Sequence, residues 1–250
     1  MYTAEMRDGL RLELLEAARG DTRISGSAVT GSGARGEEDA WSDIDLAFGV
    51  GEAAELPVVM ADWTARMYQR HSALHHLDIG FGAWIYRVFL LAGGLQVDLA
   101  FVLERDFRAL SSTFRLVSGK AQEASSAVPA NAEEVAGMGW LYGLHVRSSL
   151  RRGRLWQAEH MLSGMRSQVL MLACVRHGLP AAHGQGFDQL PEEVRKGVAE
   201  SLVREFEERE LWRAFKAVME SFLQELRHSL PEVAGRVEAV LREAAESPWG

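Results

Sequence analysis

The sequence predicts a mixed α/β domain followed by a bundle of about five helices. Three observations lead there. Up to about residue 125, short β-like runs alternate with helix-like ones. Around 118–134, SGKAQEASSAVPANAEE is rich in small and polar residues, contains Pro129 and reads as a linker. After it, every long segment carries helical periodicity. The expected domains are therefore residues 1–125 and 130–250.

Residues 3–19 read as an amphipathic helix, with Met6, Leu10, Leu14 and Ala17 at helical spacing. TRISGSAVTG (22–31) reads as a strand weakened by its glycine, and SGARGEEDA as a short helical turn. DIDLAFGV (43–50) is a second strand, 58–71 a helix, and 76–80 a short strand. IYRVFLLAGGLQVDLAFV reads as two strands joined at Gly93-Gly94, a hairpin turn. Residues 133–152 and 154–177 are long helices. Gly178 and Pro180 stop the second one, and 177–191 is a loop. Three more helices follow at 192–208, 210–228 and 231–246, the last opened by Pro231.

The chain has 250 residues, 47% hydrophobic and 25% charged, with a net charge of -8. That composition is globular, and the acidity argues against a protein that coats nucleic acid. The one basic cluster, RSSLRRGR at 147–154, is too small to change this and reads as a solvated helix end. The single cysteine, Cys174, lies in the apolar run VLMLACV and reads as a core residue; a disulfide within the chain is excluded. The N-terminus lacks the apolar block of a signal peptide. No segment reaches about 18 uninterrupted apolar residues, so no membrane partner is expected. A cytoplasmic location follows as an expectation.

The chemistry concentrates in GSGARGEEDAWSDIDL, residues 31–46. On a strand, residues i and i+2 share a face. Asp43 and Asp45 then stand side by side, while Ile44 and Leu46 point into the core. Two carboxylates this close repel, and one tends to keep its proton. A divalent cation relieves that, and hard oxygen ligands suit Mg²⁺ or Mn²⁺. Asp98, a lone acid in LQVDLAFV, joins them if its strand pairs beside 43–50. Gly31-Ser32 ends one strand and starts a helical turn. A glycine lets backbone approach a phosphate, and the serine adds a donor. Ser42 offers another. Each feature alone also fits an ordinary turn or a solvated strand end; their joint occurrence by chance is much rarer.

With GSGARGEEDAWSDIDL followed by VDLAF, the chain resembles the nucleotidyltransferase superfamily whose catalytic domain is like that of DNA polymerase beta. The resemblance spans about residues 22–102. It implies an α+β catalytic domain with a short mixed sheet, ahead of an all-α helical bundle. It also implies Asp43, Asp45 and Asp98 as catalytic metal ligands, with Gly31, Ser32 and Ser42 on the nucleotide. The layout looks like the branch that includes aminoglycoside and lincosamide nucleotidyltransferases. Such enzymes move AMP from ATP to a hydroxyl of a small molecule and release pyrophosphate. The implied partners are an NTP and a small polar acceptor, and the resemblance admits a homodimer, since some relatives build the site from two subunits. An acidic chain suits a cationic, aminoglycoside-like acceptor.

Other groups enter with both a plain and a functional reading. Asp78, Glu104, Glu159 and Asp98 itself are the carboxylates considered as general base. Glu159 and Arg166 lie seven apart on one helix face and are the candidates for contact with substrate, although a solvated face explains them too. Trp156, Met161, Met165, Val169 and Leu172 read as a core face. The alternative to an enzyme is an antitoxin-like or regulatory protein of the same fold that acts on a protein partner.

Overall fold

A computed structural model describes residues 2–110, 113–124 and 130–248. The chain forms two compact units, 1–127 and 128–250.

The first unit opens with α1 (Ala4–Gly20), capped by the Thr3 hydroxyl, which accepts from the Met6 N–H at 3.2 Å. Its buried face is Arg7, Leu10, Leu14, Leu15 and Ala18. Met6, expected on that face, is exposed, and Arg7 takes the inner position three residues before Leu10. Then come β1 (Ile24–Thr30), α2 (Gly31–Arg35), β2 (Ile44–Val50), α3 (Leu56–Arg70), β3 (Ala73–Phe81), β4 (Trp84–Leu91), β5 (Gln96–Leu103) and β6 (Phe114–Gly119). Gly93 and Gly94, between β4 and β5, have φ of 95° and 87°, the left-handed backbone that glycine adopts without strain.

The six strands form one mixed sheet in the order β3-β4-β5-β2-β1-β6. β2 and β5 run parallel, and the other neighbours antiparallel. One face carries Ile44, Leu46, Phe48, Val97, Leu99 and Phe101 and is covered by α1 and α3 through Leu14, Val59, Trp63 and Met67. This is the larger core. The other face holds a smaller cluster of Ala28, Ala47, Ala100, Val102, Trp84 and Phe107. Small residues there leave one end of that face open to the acids described below.

β6 is a strand that the sequence pattern does not announce. FRLVSG is short and half charged or small, and its pairing with β1 spans almost ninety residues of chain. The expected linker is correspondingly narrower: Ser118 and Gly119 belong to β6, helix resumes at Ala132, and Pro129 lies outside the described residues.

The second unit is helical: α4 (Ala132–Arg151), α5 (Leu155–His177), α6 (Glu192–Ala199), α7 (Glu208–Ser229) and α8 (Pro231–Ala244). Asn131 caps α4. Its core gathers Val146, Met165, Val169, Leu172, Phe215 and Phe222. Trp156 is not part of it. It is exposed and stacks on Phe206, ring centroids 4.3 Å apart.

α6 ends at Ala199, nine residues before the expected 208. The sequence continues with good helix formers, yet arginines from neighbouring helices capture the next carbonyls. Arg213 donates to Glu200 O at 2.6 Å and to Leu202 O at 2.8 Å, and Arg166 to Ser201 O at 3.1 Å. Tertiary hydrogen bonds override local propensity here.

Candidate metal and nucleotide site

The parallel register of β2 and β5 sets Asp45 beside Asp98. Asp43 directly precedes β2. One carboxylate oxygen from each of the three lies within 4.8 Å of the others. Ile44 and Leu46, the alternate residues, are fully buried on the opposite face. Strand alternation thus holds acids on one side by packing apolar groups on the other.

Burial and mutual repulsion act together on this cluster. Burial, then the Asp43 and Asp98 charges, push the Asp45 carboxyl up to about 7. Burial pushes Asp98 up to about 6, with Gln96 opposing and Asp43 adding to the rise. Gln96, two residues before Asp98 and on the same face, donates to Asp98 at 3.0 Å and to Asp43 at 3.3 Å. Its amide bridges two carboxylates that would otherwise repel. Tyr86 of β4 faces the same cluster, and burial followed by the Asp45 charge raises its hydroxyl.

Gly31 has φ of +60°, and a Cβ there would sit 2.0 Å from Asp45 Oδ2. The glycine is therefore required twice, for its backbone and for the space that Asp45 occupies. Ser32 is half-buried at the start of α2, and its hydroxyl makes no hydrogen bond among the described residues. Ser42 is placed differently. It donates to Asp39 Oδ1 at 3.1 Å and accepts from the Asp39 N–H at 2.9 Å, closing the turn ahead of β2.

The loop between α2 and β2 is tied to α1. Arg7 donates to Asp39 O, and Arg11 pairs with Glu38. Arg115 of β6 donates to Gly33 O at 3.4 Å, which puts a guanidinium beside α2. These arginines escape the sequence reading because each reaches its partner across the fold. Only Arg7 leaves a trace, an arginine at a core position of an amphipathic helix. Arg35 is exposed and pairs with Glu37.

The remaining candidates lie apart from the triad or are already engaged. Asp78 is held by Arg87 at 2.6 Å, which keeps its carboxyl below the usual range. Glu104 follows the far end of β5, six residues from Asp98 and so about 20 Å along the strand. Glu159 and Arg166, in the helical unit, pair with each other at 2.8 Å.

Three carboxylates and no soft ligand make a donor set suited to a hard divalent cation. Among the described residues no Arg or Lys pairs with Asp43, Asp45 or Asp98, and the neutral Gln96 amide is what donates to two of them. The residues present therefore fit a metal ion.

Among solved structures, the chain is similar to an aminoglycoside 6-adenyltransferase from Bacillus subtilis. The identity is 11%, with 94% of this chain and 96% of that one covered, at a TM-score of 0.41. It is also similar to a nucleotidyltransferase-like protein from Exiguobacterium sibiricum, at 15% identity, 91% and 79% coverage and a TM-score of 0.37. No family model matches the sequence. No curated protein matches it either. Among the described residues, no helix is long and apolar enough to cross a membrane.

Proposed function

We propose that this chain is a metal-dependent nucleotidyltransferase that moves AMP from ATP to a hydroxyl of a small molecule. The observation that supports it most is the register Asp45–Asp98, which with Asp43 just ahead of β2 gathers three acids beside a glycine shaped around one of them.

Asp43, Asp45 and Asp98 would hold the cation, Mg²⁺ or Mn²⁺. When bound it supplies positive charge for the α-phosphate and the departing pyrophosphate. Gly31 brings backbone close to the ATP phosphates, Ser32 offers its free hydroxyl, and Arg115 adds charge at the same turn. Ser42 serves by fixing the turn that presents Asp43. The acceptor oxygen bonds to the α-phosphorus as the bond to the bridging β-phosphate oxygen breaks, and pyrophosphate leaves. The hydroxyl proton passes to a nearby carboxylate, with Asp98 as the candidate within the triad.

Calorimetry with each of the four NTPs and Mg²⁺ tests the reading, with Asp43→Ala/Asp45→Ala as control. Metal-dependent ATP binding that the double variant loses is the expected result. A wild type that binds no NTP contradicts it.

A further inference from the structure

The row of side chains that carries the triad continues across the sheet. Asp45 pairs with Asp98, Asp98 with Val88 of β4, and Val88 with Leu77 of β3. Directly paired residues project to the same face, so these four stand in line. The next row reads Ala47, Ala100, Tyr86 and Ile79. On the other flank Gln96 is followed by Leu90 and His75. Beyond Asp98 the face is therefore Val88, Leu90, Leu77 and Ile79, with Phe81 at the strand end.

This surface is open and almost free of charge. Leu77 is 50% exposed, Ile79 51%, Leu90 49% and Phe81 66%. Asp78 and Arg87, the charged pair of these strands, occupy the alternate positions. There Arg87 also donates to Thr64 of α3 at 2.7 Å. His75 at the end of the face is its one titratable group besides Tyr86.

The direction of attack decides what this face meets, given the nucleotidyl-transfer reading above. The phosphate turn at Gly31-Ser32 follows β1, on the side of β2 away from β5. In-line displacement sets the attacking oxygen opposite the leaving pyrophosphate. With pyrophosphate toward α2, the acceptor approaches from β5, over β4 and β3.

We propose that the acceptor is an uncharged, hydroxyl-bearing molecule with an apolar ring body that lies on Leu77, Ile79, Val88 and Leu90. Removing that surface from water supplies the affinity, and the hydroxyl at Asp98 supplies the orientation. This departs from the cationic, aminoglycoside-like acceptor that the sequence resemblance implies. A polycation would find no carboxylate on this platform beyond the triad itself.

The test uses the full chain with Mg²⁺, an ATP analogue that resists cleavage at the α-phosphate, and 2-naphthol as fluorescent probe. Leu77→Glu/Ile79→Glu, at exposed positions of an edge strand, is expected to weaken naphthol binding roughly tenfold or more. Leu77→Met/Ile79→Val retains it, and both variants bind the ATP analogue as the wild type does. Three results overturn the proposal: naphthol binding unchanged in the glutamate variant, a polycationic aminosugar bound more tightly than naphthol, or a wild-type dimer in sedimentation that the glutamate variant splits. Absence of analogue binding by the wild type is a separate result, and removes the nucleotidyl-transfer reading on which the proposal rests.

Discussion

Asp45 carries opposing demands on one side chain. Its carboxyl is held near 7 in the folded chain and titrates near 3.8 when unfolded. The folded state thus binds the proton more tightly. Metal-free stability is greatest at low pH with respect to this group, and falls as pH rises from about 4 through about 7. Melting temperatures recorded from pH 5 to pH 8 without divalent cation should decline, and millimolar Mg²⁺ should flatten the decline. Asp45→Asn removes the charge that causes the loss. It should melt a few degrees above the wild type at pH 8, with a smaller gain at pH 5, and lose activity by about a hundredfold or more. Gly31→Ala tests the other side of the contact. Its left-handed backbone costs about 1–2 kcal/mol for a residue with a side chain, and its Cβ displaces the Asp45 carboxylate. Urea denaturation should show the stability loss, and ATP binding should fall with it.

At the scale of elements, packing partners decide what a pattern becomes. The helix expected to reach 208 stops at Ala199 because Arg213 and Arg166 hold the next carbonyls. Arg213→Ala should therefore destabilise the helical unit by about 1–3 kcal/mol, read by urea denaturation. Arg166→Ala should act the same way. Its pairing with Glu159 and Ser201 makes it a strut of α5, so its loss should lower the melting temperature and leave ATP affinity unchanged. The strand pair β2–β5 shows the converse. Alternation in DIDLAF and VDLAF was legible because a period of two marks its own buried side. That the two strands pair side by side was only an expectation, and their parallel direction and register were not foreseen, since register between distant strands leaves no local trace. Gln96, Tyr86 and Arg115 were invisible for that reason. Ser42 was legible in principle: an aspartate three residues before a serine is a local turn, and the turn uses the hydroxyl.

For the whole molecule, composition spoke to class and little else. A charge of -8 suggested a cationic acceptor, whereas the apolar face beyond Asp98 led to the uncharged one proposed above; net charge says nothing about where charges sit. The change of period near residue 125 gave the expectation of domains at 1–125 and 130–250, and the chain forms compact units at 1–127 and 128–250. The candidate site was drawn from sixteen consecutive positions and one distant aspartate, and three of those residues, Asp43, Asp45 and Asp98, come together. What tied them together was the fold of the sheet.

The claim on which the rest depends is that Asp43, Asp45 and Asp98 hold a metal ion. Titration of the chain with Mn²⁺, followed by paramagnetic resonance for the wild type and Asp45→Asn, tests it directly. Saturable Mn²⁺ uptake by the wild type, weakened by about tenfold or more in a variant that is otherwise more stable, is the predicted result. Equal uptake by both, or none by the wild type, would contradict it.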